Sequence, residues 1–423
     1  MSDIILNEDY QDYNISFEKG VGDKIFFKRK AYIDLSNCAG TLILGHNSKI
    51  FQKSLKLYLK KKISIFAHTN IHAVNFANTI KKNFPNFSKI IFCNSGAEAV
   101  MKSLRISRSL NKKNLIVNVT GSWHGSVDKL LFYPNKYLKP QKLSDGLSLD
   151  DEKNLIYIPY NDIEKSNKIL NKFKNDINSI IIEPVQGCLP LGNVKKYLKF
   201  LEKFCKKNNI TLIFDEIITG IRIRPGSVQK KYDLNPDITT IGKVIGGGLP
   251  IGIIGISERI NKIIKKKKIK VYFGGTFSAN SLSSFVGNET LKFLLKNKRV
   301  FSDLNKKCLY FQKNLNQFIK KEKIEAKVYR FDSILRIVFS NFGFSRGRSI
   351  EIGDRMQRDL LEKKNISNIV KFRKYLLDKK IYYPKNGIIF LSNSTSYKSL
   401  NYVLNYIKIG LKDFFKINKT KNT

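Results

Sequence analysis

Acidic residues are scarce in this chain: 34 Asp and Glu stand against 77 Lys and Arg, leaving a formal net charge of +43 over 423 residues. An excess of that size raises nucleic acid or an anionic membrane as partners. The lysines, however, are spread along the whole chain among Ile, Asn and Phe, their longest run is Lys265 to Lys268, and no nucleic-acid-binding module can be read. Lysine filling solvated positions is therefore expected, with no specific nucleic-acid partner. Cysteine is sparse too. Cys38, Cys93, Cys188, Cys205 and Cys308 lack CxxC or metal-ligand spacing, which argues against a metal site and for reduced thiols in a cytoplasmic protein. No apolar run approaches the roughly 20 residues that span a bilayer, and no secretory apolar segment follows Met1. A soluble enzyme without a membrane partner is expected.

What is present is concentrated between Ile210 and Gly248. Ile210 to Phe214 is a short β-branched and aromatic run that ends on Asp215, and Ile238 to Ile241 ends on Gly242 and Lys243. Such runs read as buried parallel strands, and ligands of open α/β sheets bind at the carboxyl edge of their strands. An aspartate that holds a pyridinium proton and a lysine that forms a Schiff base are what pyridoxal phosphate chemistry asks of a protein. The plain alternative is a strand-end aspartate and a surface lysine. The glycines after Lys243 form neither a Walker loop, since no GK[ST] closes them, nor a GxGxxG turn.

FDEIITGIR followed by TTIGKVIGGGLPIG resembles the cofactor-binding core of the class III aminotransferases, most closely their glutamate-1-semialdehyde aminomutase members. The similarity runs from about Phe26 to Tyr402, with the motifs in the family's order. It implies an α/β, fold-type I pyridoxal-phosphate-dependent transferase, with a large domain around a mainly parallel sheet and a smaller α+β domain. The expected division is 1–50 as an amino-terminal arm and strands packing with the small domain, 51–295 as the cofactor domain, 296–415 as the small domain and 416–423 as a disordered tail. The resemblance also implies a homodimer, an amino donor and a carbonyl acceptor as substrates, and pyridoxal 5′-phosphate as cofactor.

Further residues take roles by matching positions. NSGAEA, a strand, tight turn and helix start, matches the phosphate turn and assigns Ser95, Gly96 and Ala97 to the cofactor phosphate; a helix N-terminus suits an anion, and a plain N-cap is the alternative. Trp123 sits where the family stacks an aromatic on the pyridine ring, with His124 beside it; a core tryptophan is the alternative. Ile217 is expected to pack under the ring. Glu183 and Gln186 of EPVQG are expected near the ring hydroxyl or substrate, or else to cap the strand end. Thr276 of GGTFSAN is expected to reach the phosphate of a neighbouring subunit, on a loop in which Ser281 replaces the proline that usually follows Asn280.

Elsewhere, residues 1 to 25 read as an irregular arm, IFFKRKAYIDLSNCAGTLILGH (Ile25 to His46) as two or three short strands, 132 to 155 as a long loop and SILRIVFSN as a strand with period-2 alternation. Strand and helix alternation from 89 to 256 predicts a parallel sheet with right-handed crossovers. His68 and His72 have the spacing to share a helix face, but no third ligand joins them. Three departures surround the expected substrate: NISFEKGVG lacks the aminomutase arginine, PKNGIIFLS lacks the aminomutase glutamate, and Cys188 replaces an asparagine. Arg222, Arg224, Arg330 and Arg336 remain candidates for a substrate carboxylate. The expectation is amino-group transfer, with true aminomutase activity as the alternative and a non-catalytic or basic nucleic-acid-binding protein further behind.

Overall fold

The computed structural model describes residues 15–339 and 365–416. These divide into two compact units, one holding the residues up to Ser48 with those from Ser302 onward, the other holding Lys49–Phe301. Among the described residues, no helix is long and apolar enough to cross a membrane.

The second unit is built on a seven-stranded sheet in the order Lys89–Cys93, Gly252–Ile256, Ile238–Gly242, Thr211–Asp215, Ile177–Ile182, Leu115–Val119, Leu155–Ile158. The last five strands in that order run parallel, and their central members are buried throughout, as strands covered on both faces must be. The fold class is the expected α/β with a mainly parallel sheet, and one strand departs from a wholly parallel reading. Gly252–Ile256 runs antiparallel to both Ile238–Gly242 and Lys89–Cys93. The chain turns back through a short 3-10 helix at Lys243–Gly246, and without a crossover helix only an antiparallel return is open to it.

Local signals explain the helix starts. Ser95, Asp162, Ser257 and Asn280 each cap a helix by accepting a backbone N–H of its first turn. The Asn280 cap fixes where the loop holding Thr276 ends: Ser281 occupies the first helical position, where proline is tolerated but not needed, and the helix Ser281–Lys296 begins regardless. The stretch expected as one long loop contains a hairpin, Phe132–Pro134 with Pro140–Lys142, and a short helix, Leu149–Lys153. Its polar residues hid the pairing. His68 precedes the helix Ile71–Asn83 on which His72 lies, so the two imidazoles do not share a helix face.

In the other unit, Lys19–Val21, Lys24–Phe27 and Lys30–Asp34 form a meander that Ile381–Tyr382 joins in parallel. The supposedly irregular arm thus already carries strand from Lys19. Phe17 packs edge-on against Tyr32 and Tyr382, with ring centroids 6.2 and 5.3 Å away. A second sheet joins Ala326–Phe331, Ile334–Phe339 and Ile388–Phe390. Ile334–Phe339 is buried at every position, so the expected period-2 exposure is absent. The expected loop and helix after residue 340, and the tail beyond Lys416, lie outside the described residues.

Candidate active site

Asp215 ends its strand 4% exposed. Its Oδ1 accepts the N–H of Ile217 and the hydroxyl of Thr240, each at 3.1 Å, and its Oδ2 lies 2.7 Å from His124 Nδ1. Carboxylate oxygens only accept, so His124 Nδ1 donates; its Nε2 reaches Asn118 Oδ1 at 3.3 Å. Three donors in a buried setting fix the carboxylate's orientation. Asp215 pairs in register with Thr240 on the neighbouring strand, and Lys243 follows just beyond that strand's end. Lys243 has φ of 52°. A left-handed backbone at a side chain with a Cβ costs about 1–2 kcal/mol, and such strain gathers at functional sites.

The turn at Ser95–Ala97 lies against the same centre. A Cβ on Gly252 would fall 2.0 Å from the Ser95 carbonyl, and one on Gly96 would fall 2.7 Å from Ile217 Cδ1. At Gly252 only glycine allows the approach, and at Gly96 a larger residue would push the Ile217 side chain aside. Ile217 also faces Gly242, the residue before Lys243, and Gly125 faces Ala97. The structure therefore gathers Ser95, Gly96, Ala97, His124, Asp215, Ile217 and Lys243 at one edge of the sheet. Ser95 Oγ accepts the Glu98 N–H as a cap, while the helix N-terminus presents its partial positive charge beside it.

Glu183 is 4% exposed; its Oε2 accepts the Trp123 N–H at 2.9 Å and its Oε1 the Gly187 N–H at 3.3 Å. Burial first, and the Asp215 charge second, push its carboxyl up to about 7. Gln186 is fully buried and gives its amide to the Thr120 carbonyl at 2.6 Å. Both residues thus shape the loop that holds Trp123. Trp123 itself is 43% exposed, which removes the core-tryptophan alternative and leaves an indole face open to a ligand. Thr276 is exposed, and the adjoining Gly275 lies beside Asn94 and Glu98.

Two contributors escaped the sequence reading. The contact between His124 and Asp215 joins residues 91 apart in the chain, so no local pattern carries it. Glu216 is fully buried and accepts from Thr219 Oγ1, Ser227 Oγ and the N–H groups of Val228 and Gln229, at 2.7 to 3.1 Å. Burial raises its carboxyl as well. The one available signal was the DE pair after an apolar strand, since neighbouring residues must face opposite sides of a sheet. Of the arginine candidates, Arg222 is 1% exposed, Arg224 is exposed, Arg330 is engaged by Gln312, Asn305 and the Asp332 carbonyl, and Arg336 is buried. Among the described residues no His, Cys, Asp and Glu cluster could hold a metal ion.

Comparison with known proteins agrees with this geometry. The family described as Aminotransferase class-III matches residues 6–331. A glutamate-1-semialdehyde 2,1-aminomutase of Wigglesworthia glossinidia brevipalpis is 39% identical over 319 residues, covering 73% of this chain and 72% of its own. One from Methanosphaera stadtmanae is 31% identical over 415 residues, covering 96% and 94%. Among solved structures, an omega-transaminase from Sphaerobacter thermophilus superposes with a TM-score of 0.84 at 21% identity, covering 94% of this chain and 91% of that one. A glutamate-1-semialdehyde-aminomutase from Pseudomonas aeruginosa gives 0.80 at 15% identity, covering 95% and 88%. By sequence match and by fold, the chain belongs to the class-III aminotransferases and is a pyridoxal-phosphate-dependent enzyme.

Proposed function

We propose that the enzyme moves an amino group between an amino-acid donor and a small carbonyl acceptor, with Lys243 as the residue that holds the cofactor covalently. The observation that carries this reading is the fixed Asp215 carboxylate beside the strained backbone of Lys243. When bound, pyridoxal phosphate supplies an electron sink for negative charge at the substrate's α-carbon. Asp215 would hold the proton on the ring nitrogen through a charge-assisted hydrogen bond, with His124 and Thr240 keeping it aimed. Ile217 and Trp123 offer apolar faces for the ring, and the N–H groups at Ser95–Ala97 suit the phosphate. Lys243, displaced by substrate, would carry the α-proton.

Transfer is favoured over mutation because the aminomutase substrate contacts are missing. Phe17, in the stretch where the aminomutases carry an arginine, belongs to an aromatic cluster with Tyr32 and Tyr382, and Cys188 donates to the Gly121 carbonyl at 3.1 Å. The second reading, true glutamate-1-semialdehyde 2,1-aminomutase, is favoured by the names of relatives at 30–39% identity. Product analysis with a panel of amino donors and glutamate-1-semialdehyde separates the two. Stoichiometric keto-acid release supports transfer, and conversion to 5-aminolevulinate without a keto co-product establishes the mutase.

A cytoplasmic homodimer completes the reading. All five cysteines are unbridged, in keeping with a reducing compartment. Two loops tied by Asn70 Nδ2 to the Ala279 carbonyl at 2.9 Å, and by Ser281 to Ser64, expose Ile65, Phe66, Tyr272 and Phe277 at 51, 43, 82 and 58%. So much apolar surface on adjoining segments suits a second copy of the chain, and Thr276 lies on one of them. Sedimentation at low micromolar concentration tests it; a fully active monomer defeats it.

A further inference from the structure

The helix Gly96–Leu110 that carries the phosphate turn also carries a lysine that the chemistry above does not use. Lys102 is 2% exposed. Its ammonium group meets the Glu98 carboxylate one turn earlier, the Phe273 carbonyl at 2.8 Å and the Gly274 carbonyl at 3.1 Å. An ammonium has three donors, and all three are engaged. Glu98 Oε2 in turn accepts the backbone N–H of Asn94 at 2.6 Å, the residue that opens the turn. A continuous polar path thus runs from the Thr276 loop through Lys102 and Glu98 to the phosphate turn.

A buried ion pair seldom adds stability over an apolar packing of equal volume. What an apolar residue could not do is hold two carbonyls of an exposed, glycine-bearing loop. That loop has few other tethers. Gly274 and Gly275 follow one another, the latter at φ 153°, and no carboxylate occurs between Lys270 and Asn280. Asn94 Oδ1 and Ser278 Oγ are buried without a hydrogen-bond partner among the described residues, so neither atom bridges the junction. Arg105 reaches the Tyr272 carbonyl at 2.8 Å from an exposed position. Lys102 is the buried tether of the Phe273–Gly274 stretch, while Asn70 holds the loop's far end at Ala279.

We propose that Lys102 is a positioning residue that couples the Tyr272–Thr276 loop to the turn at Ser95–Ala97, so that the placement of this loop sets the grip on the cofactor's phosphate. The proposal rests on the cofactor reading above and adds a residue and a linkage to it. Lys102 touches neither the ring nor the substrate.

The test is a titration of cofactor-free full-length protein with pyridoxal 5′-phosphate and with phosphate-free pyridoxal, followed by absorbance. Lys102→Met is expected to weaken pyridoxal 5′-phosphate binding about tenfold, the scale of a lost hydrogen bond to a charged group, and to leave pyridoxal binding unchanged. Added to Thr276→Ala, it should cost less than the product of the two single effects, because both act through one loop. Equal weakening of both ligands, or wild-type affinity for both, overturns the proposal. Since Lys102→Met strands the Glu98 carboxylate, Lys102→Met with Glu98→Gln serves as the folding control. That variant must keep the phosphate-selective loss; recovery of wild-type affinity would reduce Lys102 to a counter-ion. A wild-type chain that binds the two ligands alike would instead sink the phosphate-site reading itself.

Discussion

Asp215, His124 and Glu183 are 4, 3 and 4% exposed and find their partners within one chain, whereas the Thr276 loop leaves Tyr272 82% and Phe277 58% exposed. The first region is a preorganised floor: donors on Asp215 come from its own turn, from the next strand and from a loop 91 residues away. Folding a single subunit completes it. The second is a tethered edge whose apolar surface has no cover among the described residues. Ring chemistry should therefore be insensitive to assembly, and phosphate retention sensitive to it.

The sharpest break of the floor is Lys243→Ala, which should lower turnover at least about ten-thousandfold, as removal of a covalent catalytic group does; single-turnover assays and peptide mapping after borohydride reduction check it. Capture of the cofactor on another lysine in the wild type would overturn the assignment. Asp215→Asn comes next. It keeps the size but removes the charge that His124 and Thr240 orient, and roughly a hundredfold loss in kcat, about 3 kcal/mol, is expected. Both variants should still sediment as the wild type does.

The floor was readable to an unequal degree. Asp215 and Lys243 announce themselves because each closes an apolar strand run, and the NSG turn because a capping serine and a glycine open a helix. The His124 contact was hidden, as tertiary pairs between distant loops leave no periodicity. The antiparallel Gly252–Ile256 was missed because an apolar strand has the same composition in either direction, and only the short return from Gly242 sets its sense. The loop at Thr276 shows its motif in the sequence but not its path: the Asn280 cap ends it and the Lys102 tether holds it, and the tether does not follow from the motif.

Glu183 gives the floor a pH signature. Its folded carboxyl stands at about 7, above the ordinary 4.5, chiefly through burial. Between those values the folded chain binds more protons than the unfolded one, so the contribution is greatest below pH 4.5 and is lost as pH rises through about 7. Glu183→Gln abolishes that slope. In cofactor-free protein, unfolding free energies from urea titrations at about pH 5 and pH 8 should differ by less in the variant than in the wild type, by on the order of 2–3 kcal/mol. Equal differences would mean that Glu183 is ionised throughout.

At the edge, Thr276→Ala should weaken cofactor binding fivefold to tenfold, about 1 kcal/mol for one hydrogen bond. It should leave kcat of the saturated enzyme nearly unchanged. The contrast with Asp215→Asn, which acts on kcat, is the comparison in kinetic form. If Thr276→Ala lowers kcat at saturating cofactor instead, the loop belongs to the chemistry and the division between floor and edge fails.

The smallest effect belongs to Trp123, which stands at the border of the two regions: its N–H is fixed by Glu183 at 2.9 Å, yet its side chain is 43% exposed. Because the backbone N–H makes that bond, replacing the indole leaves the anchor intact and isolates the ring face. Trp123→Phe keeps a flat aromatic surface and should change cofactor affinity by less than about twofold, while Trp123→Ala should cost roughly 1 kcal/mol, about fivefold. Measuring both against pyridoxal and pyridoxal 5′-phosphate assigns the loss. A stacking residue weakens the two ligands equally, since both carry the ring, whereas Thr276→Ala weakens only the phosphorylated one. Equal affinities for Trp123→Ala and the wild type would show that the exposed indole faces the substrate path rather than the ring, and would place Trp123 with the edge.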